Sequence, residues 1–586
     1  MTVRRPGSLS KQPATARQAL VLGIAAAVLL AAGALGLLFG GTGYAVLAGF
    51  GRISYHENGF TKLPLALTPG RYQTLLLALG GAVAGSLLLL ALLRRTDALA
   101  ALRAEWCQAR TRGRAWWRAQ AGRDKLAAGL MLLAVLMARL WYLTRYPLST
   151  DEVASYDYFV RGGPVVITSF YPIPNNHIFY NLLAWPLAEL GWSPRLAMRL
   201  PSLLLGLLGT GLGSVLLARL LGWWRATLLL GLVGLTPLWV YYAANGRGYF
   251  VQFGLLQIGF FAVVEVLHPA SRYPRLSWLA FVGSSVLGLY TVPSYAYPLA
   301  ALGLGLAAGL LHQRRWRALP TLVLAGAGIV LLVGLLYAPV GAVSGWGQLL
   351  GNRYVAARPD FWLHYRAALY EIGAELFGPS LRLSGPAWLA LAALGGLAAW
   401  RLVLRGPRRT LALLAWLQLA LPLALMAIQR VYAPTRTLLP LTFFGYLLVL
   451  LLLTERLPPL SRARQLSRAL ALLSVLGLGG YRLKLNQARL QASRHETQLF
   501  QQAYAWLQNQ PDAHRIWLNA PLHELFFAHY ARQQPGPLRG LHSGRRWPVA
   551  GRYNYLVVKN QSEYCAPISY RLAYHDELVN IYAPTR

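Results

Sequence analysis

Apolar segments of about 20 residues recur along most of the 586-residue chain, and this repetition limits what it can fold into. At a rise of 1.5 Å per residue, about 20 apolar residues of helix cross the hydrocarbon core of a bilayer. Charged residues make up 13% of the sequence, whereas soluble proteins usually contain about 25%. We therefore expect an all-α polytopic membrane protein, with candidate spans near residues 19–40, 73–94, 125–144, 176–191, 200–221, 224–243, 249–268, 275–291, 294–311, 319–340, 386–404, 410–428, 436–454 and 465–481.

Basic loops indicate which face of the membrane each connection occupies. Lysine and arginine are enriched in short cytoplasmic loops. The segment from Arg94 to Lys125 carries a run of arginines, and shorter basic loops follow around Arg314, Arg405 and Arg456. We expect all four of these loops on the cytoplasmic side.

Counting spans from these loops leads to a parity argument. Both the segment after Tyr142 and the loop Asn245–Gly248 fall outside, although three candidate spans separate them. Both can be outside only if an even number of these candidates cross the membrane. The segment 176–191 is short and contains Pro186, so we interpret it as a half-helix or re-entrant piece. About 13 crossings then give a cytoplasmic N-terminus and an external C-terminus.

Composition divides the chain into three parts. Residues 1–124 hold two candidate spans and a basic loop, and we interpret them as an N-terminal extension. Their first apolar segment is too long for the apolar core of a signal peptide and lacks a convincing cleavage site, so we expect a retained anchor. Residues 125–482 are expected to form a transmembrane core with external loops at 145–175 and 341–386, and residues 483–586 an extracytoplasmic domain.

The C-terminal part differs in character from the rest. It begins with an amphipathic helical pattern that includes Leu499 and Phe500, and continues with short β-like runs near Ile516 and Tyr555. Alternation between helical and strand periodicity is typical of a mixed fold. The sequence therefore predicts a small α/β domain on the outer face.

The strong positive charge does not indicate a nucleic-acid partner. The net charge is +37, but lysine and arginine concentrate in short loops between apolar segments, as topology determinants do. No RNA- or DNA-binding motif accompanies the charge. The two cysteines, Cys107 and Cys565, are expected on opposite membrane faces, so neither an internal disulfide nor a cysteine metal site is predicted.

Carboxylates are scarce, and their densest group, LSTDEVASYDYF, directly follows an apolar span. Asp151 and Glu152 in this group are candidate catalytic residues, because a carboxylate at a membrane exit can deprotonate an acceptor or bind a cation. The sequence from Ser149 to Glu152 also fits a capping box that begins a surface helix. Local sequence alone leaves both interpretations open.

A polar cluster follows in FYPIPNNHIFYN, where the chain is expected to return to the bilayer. Asn175, Asn176 and His177 are candidate substrate-binding residues, because polar groups at that depth are costly unless they are satisfied or functional. Alternatively, one of the two asparagines is the N-cap of the next helix.

Arginines near predicted membrane boundaries are candidate phosphate ligands. Arg247 and Tyr249 lie in YYAANGRGYF, Arg436 lies in VYAPTRTLLP, and Arg353 lies in the second long loop. A guanidinium can hold a lipid phosphate with two parallel hydrogen bonds. Each arginine can equally be an interfacial anchor whose charged end reaches water.

The order of these motifs resembles the GT-C superfamily of membrane glycosyltransferases, in particular the protein O-mannosyltransferase and aminoarabinose-transferase branch. The resemblance rests on a span, an external loop with Asp151-Glu152, the Asn-Asn-His segment and the later Asn-Gly-Arg-Gly-Tyr boundary, between about residues 126 and 453. It implies that Asp151 is the catalytic base with Glu152 beside it, that His177 lines the active-site cavity, and that Arg247 is the family's boundary arginine. Two additional spans precede the motifs, and Asn-Asn-His replaces the consecutive prolines common in the family.

The resemblance implies an enzyme of the bacterial inner membrane with an extracytoplasmic active site. It would transfer a sugar from a polyprenyl-phosphate donor to a lipid, glycan or protein acceptor, with inversion and a carboxylate general base. Beyond donor, acceptor and membrane lipids no partner is indicated, no metal ligand set is evident, and metal dependence stays open. The alternative is a transporter or lipid flippase, against which the sequence shows no inverted hydropathy repeat and no acidic residue in mid-span.

Overall fold

The structure is a computed structural model that describes residues 15–49, 65–94, 96–351, 356–377, 408–454, 463–534, 540–543, 552–560 and 569–585. The described chain is mainly helical. Its α-helices are α1 Ala16–Thr42, α2 Tyr44–Ala48, α3 Pro69–Leu93, α4 Ala98–Ala119, α5 Gly122–Arg145, α6 Thr150–Tyr158, α7 Gly163–Ser169, α8 Ile178–Glu189, α9 Pro194–Leu221, α10 Trp223–Gly234, α11 Pro237–Ala243, α12 Tyr249–Leu267, α13 Pro274–Thr291, α14 Ala296–His312, α15 Leu319–Val343, α16 Trp346–Leu350, α17 Phe361–Phe377, α18 Arg409–Gln429, α19 Pro440–Thr454, α20 Ala463–Leu485, α21 Gln487–Gln508 and α22 Pro521–Gln533.

Eight helical segments of the described chain are long and apolar enough to cross a membrane. A ninth crossing is possible if α10 and α11 form one span, although they meet at an angle of 80°. Pro237 explains this bend, because proline lacks an N–H donor and forces the residue before it out of helical geometry. The all-α membrane fold predicted from the sequence is confirmed, whereas the number of crossings stays a prediction. The candidate span at 386–404 lies outside the described residues.

Helix α8 is too short to cross the membrane, as expected for the segment 176–191. Its 12 residues extend for about 18 Å at 1.5 Å per residue. Near its start, the Tyr180 hydroxyl donates to the carbonyl of Met198 and lies 3.1 Å from the Ser202 hydroxyl. Both partners lie in the first turns of α9, so α8 and α9 form an antiparallel hairpin whose turn includes Gly191, at a φ of 77°.

Close packing of α9 against α12 fixes the position of the loop that precedes α12. A Cβ added at Gly209 would lie 3.0 Å from the Cα of Gly254, so the two backbones approach as closely as glycine permits. The Ser202 hydroxyl also donates to the Arg247 carbonyl at 2.8 Å. The loop Asn245–Gly248 therefore lies beside the first turns of α9.

The N-terminal helices pack against the core helices. α1 lies against α3, α13 and α15. The Glu105 carboxylate of α4, which is buried, accepts from the Arg275 guanidinium at 2.7 Å at the beginning of α13. This ion pair joins the N-terminal extension to the core.

The C-terminal part forms a five-stranded sheet with α21 and α22, and this confirms the predicted α/β domain. The strands are β1 Arg515–Leu518, β2 Gly540–Ser543, β3 Tyr555–Lys559, β4 Tyr570–His575 and β5 Val579–Pro584, in the order β2-β1-β3-β5-β4. β1 pairs in parallel with β2 and β3, and β5 is antiparallel to β3 and β4. Val153 and Ala154 of α6 belong to the core that this domain forms. The domain therefore packs directly on α6.

Candidate active site

Helix α6 begins with the capping box that the sequence allowed. The Ser149 hydroxyl accepts from the Glu152 N–H at 3.3 Å, and the Glu152 carboxylate accepts from the Ser149 N–H at 2.9 Å. Satisfying these N–H groups stabilises the first turn. Asp151 lies in the same turn but leaves 40% of its side chain exposed. Thus the two neighbouring carboxylates have different surroundings.

Glu152 is fully buried, and both of its carboxylate oxygens are occupied. One oxygen accepts from Arg199 Nε and from the Gly246 N–H, both at 2.7 Å, and the other accepts from Arg199 Nη2 at 2.8 Å. Burial by itself raises the pKa of Glu152, but the charge and hydrogen bonds of Arg199 outweigh it, and the pKa is lowered from its ordinary value. Glu152 therefore stays ionised and joins α6, α9 and the loop before α12.

Sequence reasoning missed Arg199. Its remaining N–H groups donate to the carbonyls of Leu143, Tyr146 and Pro147 at 2.7–2.9 Å, so the whole guanidinium is satisfied. An arginine inside an apolar helix is a signal, because such a charge is retained only with a partner. However, the sequence does not indicate which of the few carboxylates is that partner.

Arg247 is buried rather than directed toward water, which excludes the anchoring interpretation for this residue. Its Nη1 donates to the Ser155 hydroxyl at 2.7 Å and to the Asn175 carbonyl at 3.1 Å. Its Nη2 lies 3.0 Å from His177 Nε2. The guanidinium is therefore held between α6 and the segment that precedes α8.

The two asparagines support this segment from within, and neither is the N-cap of α8. The N-cap position is His177, without a side-chain capping bond. The Asn176 amide donates to the carbonyls of Ile167 and Phe170 at 2.8 and 2.9 Å, and Asn175 donates to the Asp151 carbonyl at 3.2 Å. Asn176 thus fixes the segment to α7, and Asn175 fixes it to α6.

His177 is positioned between two hydrogen-bond donors. The Gly248 N–H donates to its Nδ1 at 3.0 Å, while Arg247 Nη2 approaches its Nε2. Burial, together with the charges of Arg247 and Arg436, holds the pKa of His177 well below its ordinary value. A neutral imidazole accepts at only one nitrogen, so one of these two donors is without an acceptor on this ring. Arg247 Nη2 carries two N–H groups, and the ring can accept from at most one of them, so the other can donate to an incoming anion.

Arg436, from the segment before α19, is a second arginine close to Asp151. Its Nε donates to the Tyr249 hydroxyl at 2.9 Å, and its side chain is 29% exposed. The Asp151 carboxylate lies 3.9 Å from Arg247 Nη2 and 4.0 Å from Arg436 Nη2. The structure thus brings together Asp151, both arginines, His177 and Tyr249. Arg353 lies outside the described residues.

This arrangement combines a partly exposed carboxylate with two guanidinium groups at the ends of apolar helices. Two adjacent cations can bind a phosphate, and the carboxylate beside them can accept a proton. Among the described residues, no group of three or more His, Cys, Asp or Glu could hold a metal ion.

Comparisons with known proteins identify the fold. No family model and no curated protein matches the sequence. ArnT from Cupriavidus metallidurans bound to undecaprenyl phosphate is similar in structure, with a TM-score of 0.51 at 15% identity over 79% of this chain and 98% of ArnT. The apo state of that ArnT gives 0.51 at 14% identity, over 78% and 97%. The arabinosyltransferase EmbB from Mycobacterium smegmatis gives 0.34 at 14% identity, over 79% and 47%.

The fold of this chain is the one found in the two ArnT structures, which is the GT-C fold expected from the sequence. The two ArnT structures match this chain over nearly their whole length. The resemblance found in the sequence is therefore confirmed at the level of the fold.

Proposed function

We propose that this protein is a membrane glycosyltransferase that transfers a sugar from a polyprenyl-phosphate donor to an acceptor at the outer face. The observation that carries the proposal is that the Asp151 carboxylate lies within 4.0 Å of both Arg247 and Arg436, at the ends of apolar helices. The fold shared with an ArnT structure that contains undecaprenyl phosphate supports a lipid-linked donor.

The donor phosphate would bind between the two arginines. A polyprenyl chain stays in lipid while its phosphate reaches the interface, so a phosphate site is needed at helix ends. Arg247 is held by Ser155 and Asn175, and Arg436 is held by Tyr249. Because both guanidinium groups are oriented beforehand, they can stabilise the charge that develops on the leaving phosphate. His177 would keep Arg247 Nη2 in place until the phosphate accepts from it.

Asp151 would act as the general base. Its carboxylate would take the proton of an acceptor hydroxyl or amine as that atom attacks the anomeric carbon. The bond from this carbon to the phosphate oxygen would break, and its electron pair would leave with the polyprenyl phosphate. Attack opposite the phosphate in a single displacement inverts the anomeric configuration. The acceptor is a lipid, a glycan or a protein.

Glu152 would serve as a positioning residue instead of a second base. It is fully buried, and donors from Arg199, Gly246 and Ser149 occupy its oxygens. Taking a proton from an acceptor would require it to give up these bonds. Its contribution would be to hold the first turn of α6, and therefore Asp151, against α9.

The proposed location is the bacterial inner membrane, with the active site and the C-terminal domain outside. A transporter or lipid flippase is the alternative, because polar groups at helix ends can also line a translocation path. The two functions differ in one requirement. Transport needs no carboxylate at Asp151 to release the sugar. Transfer needs this carboxylate, because it takes the proton of the acceptor.

Substitution of Asp151 tests this function. Asp151→Asn preserves the size of the side chain but removes its ability to take the proton. General-base catalysis typically contributes about 10²–10⁴-fold, so we expect turnover to fall by about that factor while donor affinity changes little. Turnover and donor binding would be measured on purified protein with polyprenyl-phosphate sugars.

Asp360→Asn is the matched control, because Asp360 is an exposed carboxylate on the second long loop. We expect it to retain normal turnover. Full transfer activity in Asp151→Asn would remove Asp151 from the mechanism, and a loss confined to Asp360→Asn would move the base to that loop.

A further inference from the structure

A second cationic cavity lies beside α11, close to the proposed catalytic centre. It has a volume of about 170 Å³, and its polar lining includes Tyr241, Glu375, Arg482, Asn486 and Arg489. The next residue of α11, Tyr242, instead packs its ring against Tyr249, 5.2 Å away between ring centres. The short helix α11 therefore contributes neighbouring residues to two different cationic sites.

Arg482 supplies a buried charge to this cavity. Its side chain is 6% exposed, and its Nη2 donates to the Phe377 carbonyl and to the Tyr446 hydroxyl, both at 3.0 Å. Its Nε is buried and has no hydrogen-bond partner in the described chain. A buried donor without a partner is costly. A ligand acceptor in the cavity would remove this cost.

Arg489 adds a second charge at an exposed position. Its guanidinium lies over the Tyr241 ring at 5.8 Å, which orients it without using its N–H donors. Among the described residues of the lining, Glu375 is the only carboxylate, so the two arginines leave a net positive charge. Electrostatics therefore favours an anion, while Glu375 can accept a hydrogen bond from a hydroxyl or ammonium group next to it.

The depth of the cavity indicates where this anion would come from. The Asn486 amide donates to the Tyr142 hydroxyl at 2.8 Å, and Tyr142 lies in the last turn of the apolar helix α5. The cavity is thus level with the end of a candidate span, where lipid head groups lie. Leu238 and Leu485 give it an apolar wall as well, and Leu485 is 48% exposed.

We propose that this cavity binds the phosphate of a membrane lipid at a second site, separate from Arg247 and Arg436. Arg482 and Arg489 hold the phosphate oxygens, Glu375 contacts a polar group attached to the phosphate, and the apolar wall contacts the beginning of the tail. The site uses none of the catalytic residues, so its existence does not depend on the proposed reaction. A free phosphate has the same head-group chemistry, and the experiment separates the two sources.

Lipid binding counted by native mass spectrometry tests this proposal. The purified protein is titrated with dioleoyl phosphatidic acid, with and without added inorganic phosphate. In the Arg247→Gln, Arg436→Gln background, which removes the other phosphate site, we expect one bound lipid. Arg489→Gln should then weaken this binding about threefold to tenfold, and Arg482→Gln about 10- to 100-fold, because charge-assisted hydrogen bonds are lost.

Lys484→Gln is the matched control, because Lys484 is exposed and absent from the lining. It removes the same charge and should leave binding unchanged. If Arg482→Gln fails to fold, Arg489→Gln alone decides. Equal binding in Arg489→Gln and Lys484→Gln would overturn the site. Displacement of the lipid by equimolar inorganic phosphate would overturn the assignment to a lipid, because the tail would then contribute nothing.

Discussion

Asp151 and Glu152 are adjacent in the sequence, yet the fold places them in different surroundings. Helical geometry turns successive side chains by about 100°, so one carboxylate of the first turn faces α9 while the other faces the partly open site. Glu152 meets Arg199 at 2.7 Å. Asp151 lies 3.9–4.0 Å from two arginines, beyond hydrogen-bonding distance. This separation leaves the Asp151 carboxylate able to meet a substrate.

Glu152→Gln is expected to destabilise the protein. The substitution leaves the Arg199 guanidinium buried without its counter-charge, and breaking a buried ion pair in this way typically costs about 3–5 kcal/mol. Thermal unfolding in detergent would measure the loss. Glu577→Gln is the control, because Glu577 is 73% exposed in its pair with His495, and exposed pairs contribute about 0–1 kcal/mol. Equal stability of the two variants would contradict the structural role of Glu152.

The same ion pair predicts how stability depends on pH. The folded protein lowers the pKa of Glu152 below the ordinary value of 4.5, so the unfolded chain binds its proton first as the pH falls. The contribution of Glu152 is therefore fully present above about pH 4.5 and is lost as the pH falls through the folded pKa. The stability difference between wild type and Glu152→Gln should be constant from pH 6 to 8 and shrink below pH 4.5. A difference that shrinks already near neutral pH would contradict this assignment.

At the scale of elements, α6 connects the helical bundle to the C-terminal domain. Its last turns carry Asp157, which is buried and accepts from Arg532 at 2.9 Å and meets His529 Nδ1 at 3.1 Å, both on α22. Its first turn is fixed to α9 through Glu152. The helix that carries Asp151 is therefore held at both ends.

Weakening the contacts of Asp157, near the C-terminal end of α6, should increase the local motion of this helix. We expect Asp157→Asn to raise amide hydrogen exchange in residues 150–158 about tenfold, because charge-assisted hydrogen bonds to two partners are weakened. Exchange followed by mass spectrometry measures this. Asp512→Asn is the control, because Asp512 accepts from Tyr555 inside the C-terminal domain. Unchanged exchange in α6 for Asp157→Asn would show that the domain does not hold this helix.

Structural features that depend on a few consecutive residues could be predicted from the sequence. The capping box from Ser149 to Glu152 and the shortness of the segment around Pro186 are both visible in a few residues, and both are present in the structure. The partners of those elements could not be predicted. Arg199 is 47 residues from Glu152, and His529 is 372 residues from Asp157. Contacts at such separations depend on helix packing, which the local pattern does not encode.

At the scale of the whole molecule, the hairpin of α8 and α9 agrees with the parity argument. With α8 too short to cross, the chain returns to the side from which α9 starts if the bent pair α10–α11 is counted as one span. This is the side of Asp151, because Glu152 accepts from the Gly246 N–H. The apolar pattern and the basic loops predict this arrangement, and the number and orientation of the crossings stay predictions. The sequence did not indicate that the bundle contains the pair Glu105–Arg275, because that contact depends on how α4 packs.

Cysteine labelling in intact cells tests the orientation. Gly246 is unsuitable, because a Cβ there would lie 2.6 Å from the Met198 Cβ and 3.0 Å from a Glu152 oxygen. Arg161 is exposed in the predicted external loop after α6. In a Cys107→Ser, Cys565→Ser background, Arg161→Cys should react with a membrane-impermeant reagent.

The control for this experiment is the native Cys107, which is exposed on α4. With Cys565→Ser alone, Cys107 should react only after permeabilisation. Labelling of Arg161→Cys only in permeabilised cells would reverse the orientation and place the site in the cytoplasm.

The proposed reaction requires the donor phosphate to bind between Arg247 and Arg436 with Asp151 beside it. An experimental structure of the protein in lipid nanodiscs with undecaprenyl phosphate would show whether it does. We expect a phosphate oxygen about 2.7–2.9 Å from a guanidinium nitrogen of each arginine, and no ordered phosphate there in Arg436→Ala. A phosphate that occupies only the cavity of Arg482 and Arg489, or a site distant from all four arginines, would contradict donor binding between Arg247 and Arg436.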